Sequence, residues 1–212
     1  MIKIITVLKS GREYKPEHVY AIQNMCKENI KTDYSFVCLS DLDNLECDSI
    51  KLEHDWPTWW SKMEVFKIKG PCLFFDLDTL ICGNIDEVIE NIQQTEMCML
   101  KDQWNKGDMG SGMMYWKNDM SNVYNEFKKN VSHYTSKFRG DQNFINSLFS
   151  EKCYIQDYCN GEVVSFKANL NYGRTYNPEK HKIVYFHGPP RPWMQRVVDY
   201  TKYLPNQNEQ KS

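Results

Sequence analysis

The sequence predicts one α/β domain built around a largely parallel sheet, and three observations predict it. Apolar runs of strand length alternate with segments of helical period along most of the chain. One run, Cys72-Leu73-Phe74-Phe75, is apolar at every position, as a strand covered on both faces must be. The length, 212 residues, suffices for a single sizeable core.

The elements follow in order. Lys3 to Leu8 reads as the first strand. Pro16, suited to a first helical turn, opens a helix whose Val19, Ile22, Cys26 and Ile30 share an inward face. Tyr34 to Leu39 is a second strand. Trp59 to Lys69 has a helical pattern, with Met63 and Phe66 on one face and Gly70 as its stop. After the buried strand at 72–75, further strands are expected at Met97 to Leu100, Met113 to Trp116, Val163 to Lys167 and Ile183 to Phe186. Helices are expected at Ser121 to Val131, Asp141 to Phe149 and Trp193 to Tyr203. The domain is thus placed at residues 1–204, with 205–212 a polar tail or the start of a linker to a further domain.

Composition excludes several classes. Hydrophobic content of 41% and a net charge of -2 are those of an ordinary globular protein, and no basic excess points to nucleic acid as the partner. The apolar start, Met1 to Leu8, is too short for a membrane span and lacks the form of a signal peptide. The eight cysteines form no CxxC pair, and Cys38, Cys72 and Cys98 lie inside apolar runs. That pattern reads as reduced, largely buried thiols in a cytoplasmic protein. Six tryptophans contribute to an aromatic content of 14%. Most are expected in the core, with one or two free to stack on sugar rings.

The sharpest motif is Asp76-Leu77-Asp78 at the end of the buried strand. Carboxylates two residues apart in extended chain point the same way, and there they lie beyond the carboxyl end of a strand, where open α/β sheets bind ligands. Their repulsion calls for a cation, which with oxygen ligands implies a divalent ion able to neutralise a diphosphate leaving group. The bland alternative is a strand-to-turn Asp pair, one of them capping the next segment. The string also fits the opening of a haloacid dehalogenase phosphatase. That reading needs a second late acid, absent from Gly140-Asp141-Gln142-Asn143-Phe144-Ile145, and a motif nearer the N-terminus.

Several segments together resemble glycosyltransferase family 8, the group of glycogenin and the bacterial lipopolysaccharide galactosyl- and glucosyltransferases. They are Ser61 to Phe66, Leu73 to Leu80, Gly83 to Glu87, Gly110-Ser111-Gly112-Met113, Gly140-Asp141-Gln142, and His187-Gly188-Pro189-Pro190-Arg191-Pro192-Trp193. The resemblance implies a GT-A fold, a single Rossmann-like nucleotide-binding domain, with a UDP-sugar donor and Mn2+ (or Mg2+) as the ion. By position, Asp76 and Asp78 would hold the metal, with Leu77 and Gly188 close to the donor. Lys62 would approach the donor phosphates or sugar, and Asp141 and Gln142 would touch the transferred sugar. Thr6, Val7, Leu8 and Tyr14 would hold the uracil. Two departures stand out. Tyr185 occupies the family's usual metal-histidine position, so His187, on the same face two residues on, is expected to replace it. Gly110 stands where the family has Asn. Arg191, in place of the common Lys, would bind the diphosphate bidentately.

The expected activity is therefore metal-dependent transfer of a hexose or deoxyhexose from a UDP-sugar to a glycan or other hydroxyl acceptor, with retention favoured. For inversion, Asp102, Asp108 and Asp141 are the candidate bases. Lone capping by Asp141 and a solvated lysine at position 62 are the structural alternatives. At the level of the whole chain, the rivals are a sugar nucleotidyltransferase and a non-catalytic carbohydrate-binding module. The first would need a glycine-rich loop after strand one, where Lys9-Ser10-Gly11-Arg12 has a single glycine.

Overall fold

A computed structural model describes residues 1–205. The predicted tail therefore lies, apart from Pro205, outside the described residues. The core is a six-stranded sheet in the order β3-β2-β1-β4-β7-β6. Its strands are β1 (Ile2–Leu8), β2 (Tyr34–Ser40), β3 (Ser49–Lys51), β4 (Cys72–Phe75), β6 (Met97–Lys101) and β7 (Met109–Trp116). Strands β3, β2, β1 and β4 pair in parallel. Only β7 runs the other way, between β4 and β6. A second sheet joins β5 (Thr79–Ile81), β9 (Ile183–Tyr185) and β8 (Val163–Ser165).

Alternation along β4 assigns its side chains to two cores. Leu73 and Phe75 pack in one with Ile4 and Leu8 of β1; Cys72 and Phe74 pack in the other with Ile5. Both faces are covered, which is why the strand reads as an unbroken apolar run. Helix α1 (Pro16–Asn29) leads from β1 to β2 on the first face, burying Val19, Ile22 and Cys26. The return from β2 to β4 crosses to the other side of β1, and right-handed crossovers then require the opposite face. The segment Thr58–Lys67 makes that crossing, with Trp60, Met63 and Phe66 in the second core. The crossover directions thus reverse at the β1/β4 boundary, the topological switch point of the sheet.

Several expectations are corrected. The 58–67 crossing is a 3-10 helix rather than an α-helix, and it is buried without a break from Trp60 to Phe66, so no single inward face sets its period. The helix expected over Ser121 to Val131 divides into α3 (Ser121–Lys129) and α4 (Val131–Lys137), since the Asn130 side chain accepts from His133 N–H and caps a new helix. No helix spans Trp193 to Tyr203. The Gln195 amide accepts from Val197 and Val198 N–H and donates to the Pro192 and Val198 carbonyls, taking partners a helix would need. Only two short 3-10 turns, Pro192–Met194 and Tyr200–Tyr203, remain. Helix α5 (Asp141–Leu148) stands where expected. Helix α2 (Asp86–Ile92) and the short strands β3 and β5 carry too few residues to show a period. Gly70 stops no α-helix. A Cβ there would clash with the Lys117 carbonyl oxygen, so the residue allows the backbone before β4 to pass the end of β7.

All eight cysteines are free thiols, five of them buried. Among the described residues no helix is long and apolar enough to cross a membrane.

Candidate active site

A cavity of about 1030 Å³ opens beyond the carboxyl ends of β1 and β4, at the switch point. Strand β4 ends at Phe75, and the chain turns through Asp76-Leu77-Asp78 directly into β5 of the second sheet. This turn is held by the Asp76 N–H donating to the Gly112 carbonyl at 2.9 Å and Thr79 N–H donating to the Asp76 carbonyl at 3.1 Å. Leu77 is buried in the first core and also lines the cavity. Both carboxylates line it too, joined there by Val7, Tyr14, Lys62, Asp102, Asp141, Gln142, His187, Gly188 and Arg191. The distant sequence motifs are thus brought to one place.

Each DxD carboxylate is already paired with a cation of the chain. Lys62 Nζ lies 2.9 Å from Asp76 and 3.1 Å from Asp141, so one ammonium bridges the DxD turn and the first turn of α5. Ser111 of β7 completes that cluster, its hydroxyl donating to Asp141 at 2.7 Å and both its oxygens lying 3.3 Å from Lys62 Nζ. Burial works against the charge on Lys62, but Asp141 and Asp76 outweigh it and raise the pKa above the ordinary lysine value. Asp78 meets the Arg191 guanidinium, which also grips Glu13 and lies over the Tyr14 ring at 5.3 Å. Burial, then repulsion from Asp76, raises Asp78 to about 6, against the pull of Arg191. Asp76 is raised in the same way, by burial first, with Lys62 opposing.

The predicted nucleotide strand is only partly turned to the cavity. Val7 and Tyr14 line it. Thr6 and Leu8 have buried side chains, Thr6 donating to the Phe75 carbonyl at 3.0 Å and Leu8 packing in the core. Their backbone is paired with β2 on one side, whereas the ladder with β4 ends at Ile5–Phe74.

His187 reaches the cavity from the end of β9, but its Nε2 is 3.0 Å from the Ser165 hydroxyl. Burial and Lys167 hold its pKa below the usual histidine value. Among the described residues no three His, Cys, Asp or Glu side chains converge as a ready metal cluster. The structure therefore brings Asp76, Asp78 and His187 to one cavity without joining them as a preformed triad. Tyr185, in the family's histidine position, is buried and accepts hydrogen bonds from Gln103 and Gln156.

Of the candidate bases, Asp102 accepts from the N–H groups of Trp104 and Asn105 and from Gln142 Nε2 at 2.5 Å. Burial opposes these bonds, which nevertheless lower its pKa and leave it a weak base. Asp141 is engaged by Lys62 and Ser111, and Asp108 is not part of the cavity wall. Gln142 presents its Oε1 to Ser111 N–H at 3.3 Å and lies 3.7 Å from the place a Cβ on Gly110 would occupy. Two members of the site, Glu13 and Ser111, carry no sequence signal of their own. Glu13 lacks any local motif, its partner Arg191 lying 178 residues away. Ser111 stands between two glycines, in a motif that does not itself point to a hydroxyl at the site.

No protein-family model matches the chain, and no curated protein is significantly similar to it. Solved structures do match. The glycosyltransferase GlyE of Streptococcus pneumoniae TIGR4 superposes with a TM-score of 0.65 at 12% identity, over 95% of this chain and 59% of that one. This chain thus spans less than two thirds of the length of GlyE. The galactosyltransferase LgtC, in complex with donor and acceptor sugar analogs, gives a TM-score of 0.61 at 12% identity, over 95% of this chain and 94% of that one. A glycosyltransferase involved in glycosylation of the major capsid of PBCV-1 gives 0.54 at 11% identity, over 95% and 96%. With its switch-point cavity and mixed sheet, the protein has the fold of the GT-A glycosyltransferases.

Proposed function

We propose that the protein transfers a sugar from a nucleotide diphosphate-sugar, with UDP as the nucleotide, to an acceptor hydroxyl. The observation that carries this reading is the paired set of charges facing one cavity: Asp76 and Asp78 with Lys62 and Arg191. Two desolvated carboxylates side by side fit a divalent ion with oxygen ligands, and two cations beside them fit a diphosphate. Asp76 and Asp78 would hold Mn2+ or Mg2+, whose chemistry is to neutralise the departing diphosphate. The donor's oxygens would add to the coordination, and His187, whose Nε2 meets the Ser165 hydroxyl, would join it only through its other ring nitrogen.

The chain's own residues do the rest. Arg191, freed from Asp78, is placed to bind the diphosphate while Glu13 keeps its guanidinium oriented. Lys62 holds Asp76 and Asp141 in register and places a fixed positive charge where leaving-group charge develops. Tyr14 and Val7 offer a wall for the uracil, and Gln142 lies where a transferred sugar would be read. With Asp102 and Asp141 tied up in hydrogen bonds, no free base faces the cavity from the three candidates, which favours retention. The eight free thiols support a reducing, cytoplasmic setting.

Calorimetric titration of UDP with and without Mn2+, repeated on Asp78→Ala, tests the proposal. Binding that requires both the ion and Asp78 supports it. Binding indifferent to both, or no binding, removes it.

A further inference from the structure

The two DxD carboxylates are held by cations of different mobility. Asp76 meets Lys62, a nearly buried ammonium that also serves Asp141 and Ser111. Partners on the DxD turn, β7 and α5 fix it in place. Asp78 instead meets Arg191, which reaches it from the loop after β9. Glu13 takes another edge of the same guanidinium. Arg191 Nε donates to Glu13 Oε2 at 3.2 Å and Nη2 donates to Oε1, while Nη1 alone meets Asp78. The guanidinium can therefore leave Asp78 without losing Glu13, whose side chain is 44% exposed at the rim of the cavity. The Tyr14 ring, 5.3 Å from its central carbon, gives it a surface to slide on.

Charge decides when it leaves. Four carboxylates, Glu13, Asp76, Asp78 and Asp141, share two cations, Lys62 and Arg191, in these pairings. The excess of two negative charges matches a divalent ion with oxygen ligands. Arg191 and such an ion compete for Asp78, because both are cations for the same buried oxygens. A diphosphate alone would draw Arg191 away and leave Asp78 buried without its cation, which is costly. With ion and diphosphate together, each cation keeps an anion of its own.

We propose that Arg191 exchanges between Asp78 and the donor diphosphate, and that this exchange makes ion and nucleotide bind cooperatively, each weakly alone. Glu13 is the positioning residue that keeps the guanidinium at the site through the exchange. The coupling is reciprocal: whatever factor the diphosphate lends the ion, the ion lends the diphosphate. The inference deepens the nucleotide-sugar reading and rests on it.

The test counts bound Mn2+ by electron paramagnetic resonance, with and without UDP, and needs no turnover. In wild type, UDP should tighten Mn2+ binding roughly tenfold or more. Arg191→Gln should bind Mn2+ alone roughly tenfold tighter than wild type, because the competing cation is gone, and UDP should then add much less. Arg191→Lys restores a competing charge and should bring the affinity for Mn2+ alone back toward wild type. Arg12→Gln removes another cation of the cavity wall, one with no ion pair to Asp78 among the described residues. It should leave Mn2+ affinity within about twofold, as for an exposed and screened charge. Unchanged Mn2+ affinity in Arg191→Gln, with UDP binding still ion-dependent, would overturn the exchange and leave the donor reading standing. Equal tightening in Arg12→Gln would overturn it too, by showing a general field rather than a competitor. So would UDP binding equally well with and without Mn2+, since Arg191 would then serve permanently in the ion's place. Failure of UDP to bind at all would remove the donor reading and the exchange with it.

Discussion

Lys62 Nζ lies 2.9 Å from a carboxylate oxygen of Asp76, and this pairing ties the 3-10 crossover to the turn that ends β4. The same ammonium serves Asp141 on α5, so three elements meet at one nearly buried charge. Removing it would leave Asp141 buried without its cation and Asp76 with only the weaker pull of Arg191.

Lys62→Met should therefore destabilise the protein by about 3 kcal/mol at pH 7.5, without added ion or nucleotide, through uncompensated buried charge. Urea unfolding measures it. A midpoint unchanged from wild type would mean that the carboxylates are compensated by other groups.

Gly70→Ala should be nearly as costly. The new methyl would clash with the Trp116 and Lys117 carbonyl oxygens, both backbone atoms unable to rotate away. Overpacking of this kind costs about 3 kcal/mol. Thermal melts of Gly70→Ala against Gly83→Ala, whose methyl would meet only the flexible end of Lys182, separate the backbone clash from a general intolerance of alanine.

Stability should fall with acid partly through His18. Burial holds its imidazole below the ordinary value of 6.5, in a site where Nδ1 accepts from Lys15 N–H and the ring packs on Trp193 and Tyr14. A depressed pKa means that the unfolded chain takes up the proton more readily. The stabilisation is then whole above 6.5 and is lost as pH falls through the folded-state value. His18→Gln should show a smaller loss of melting temperature than wild type between pH 7 and pH 5.5. Parallel curves would show that His18 titrates alike in both states.

Asp102→Ala should loosen the Trp104 loop and release Gln142 together. Loss of hydrogen bonds to a charged acceptor should raise the acceptor KM by roughly tenfold, with UDP affinity retained. Steady-state kinetics beside UDP titration reads both. Equal weakening of donor and acceptor would show that Asp102 acts on the whole cavity rather than on one wall.

Much of this was legible in the sequence because the signals are local. The apolar run at 72–75, the proline-opened helix and the DxD turn each follow from a few adjacent residues. Elements of three residues, such as β3 and β5, are too short to carry a period and are held by the partners they meet. The stretch from Trp193 to Tyr203 misled because its apolar spacing says nothing of Gln195, whose amide takes the backbone partners a helix needs.

By itself the sequence determined the α/β class, the buried central strand and the identity of the carboxylates and cations at its end. Only the tertiary structure decided how they pair. Lys62 bridges Asp76 and Asp141, Arg191 joins Asp78 to Glu13, and His187 turns to Ser165. The reason is physical: charge pairing depends on distances across 14 to 178 residues of chain, which only the packed cores set. A local pattern can place a side chain on a face, but the fold chooses what it meets there.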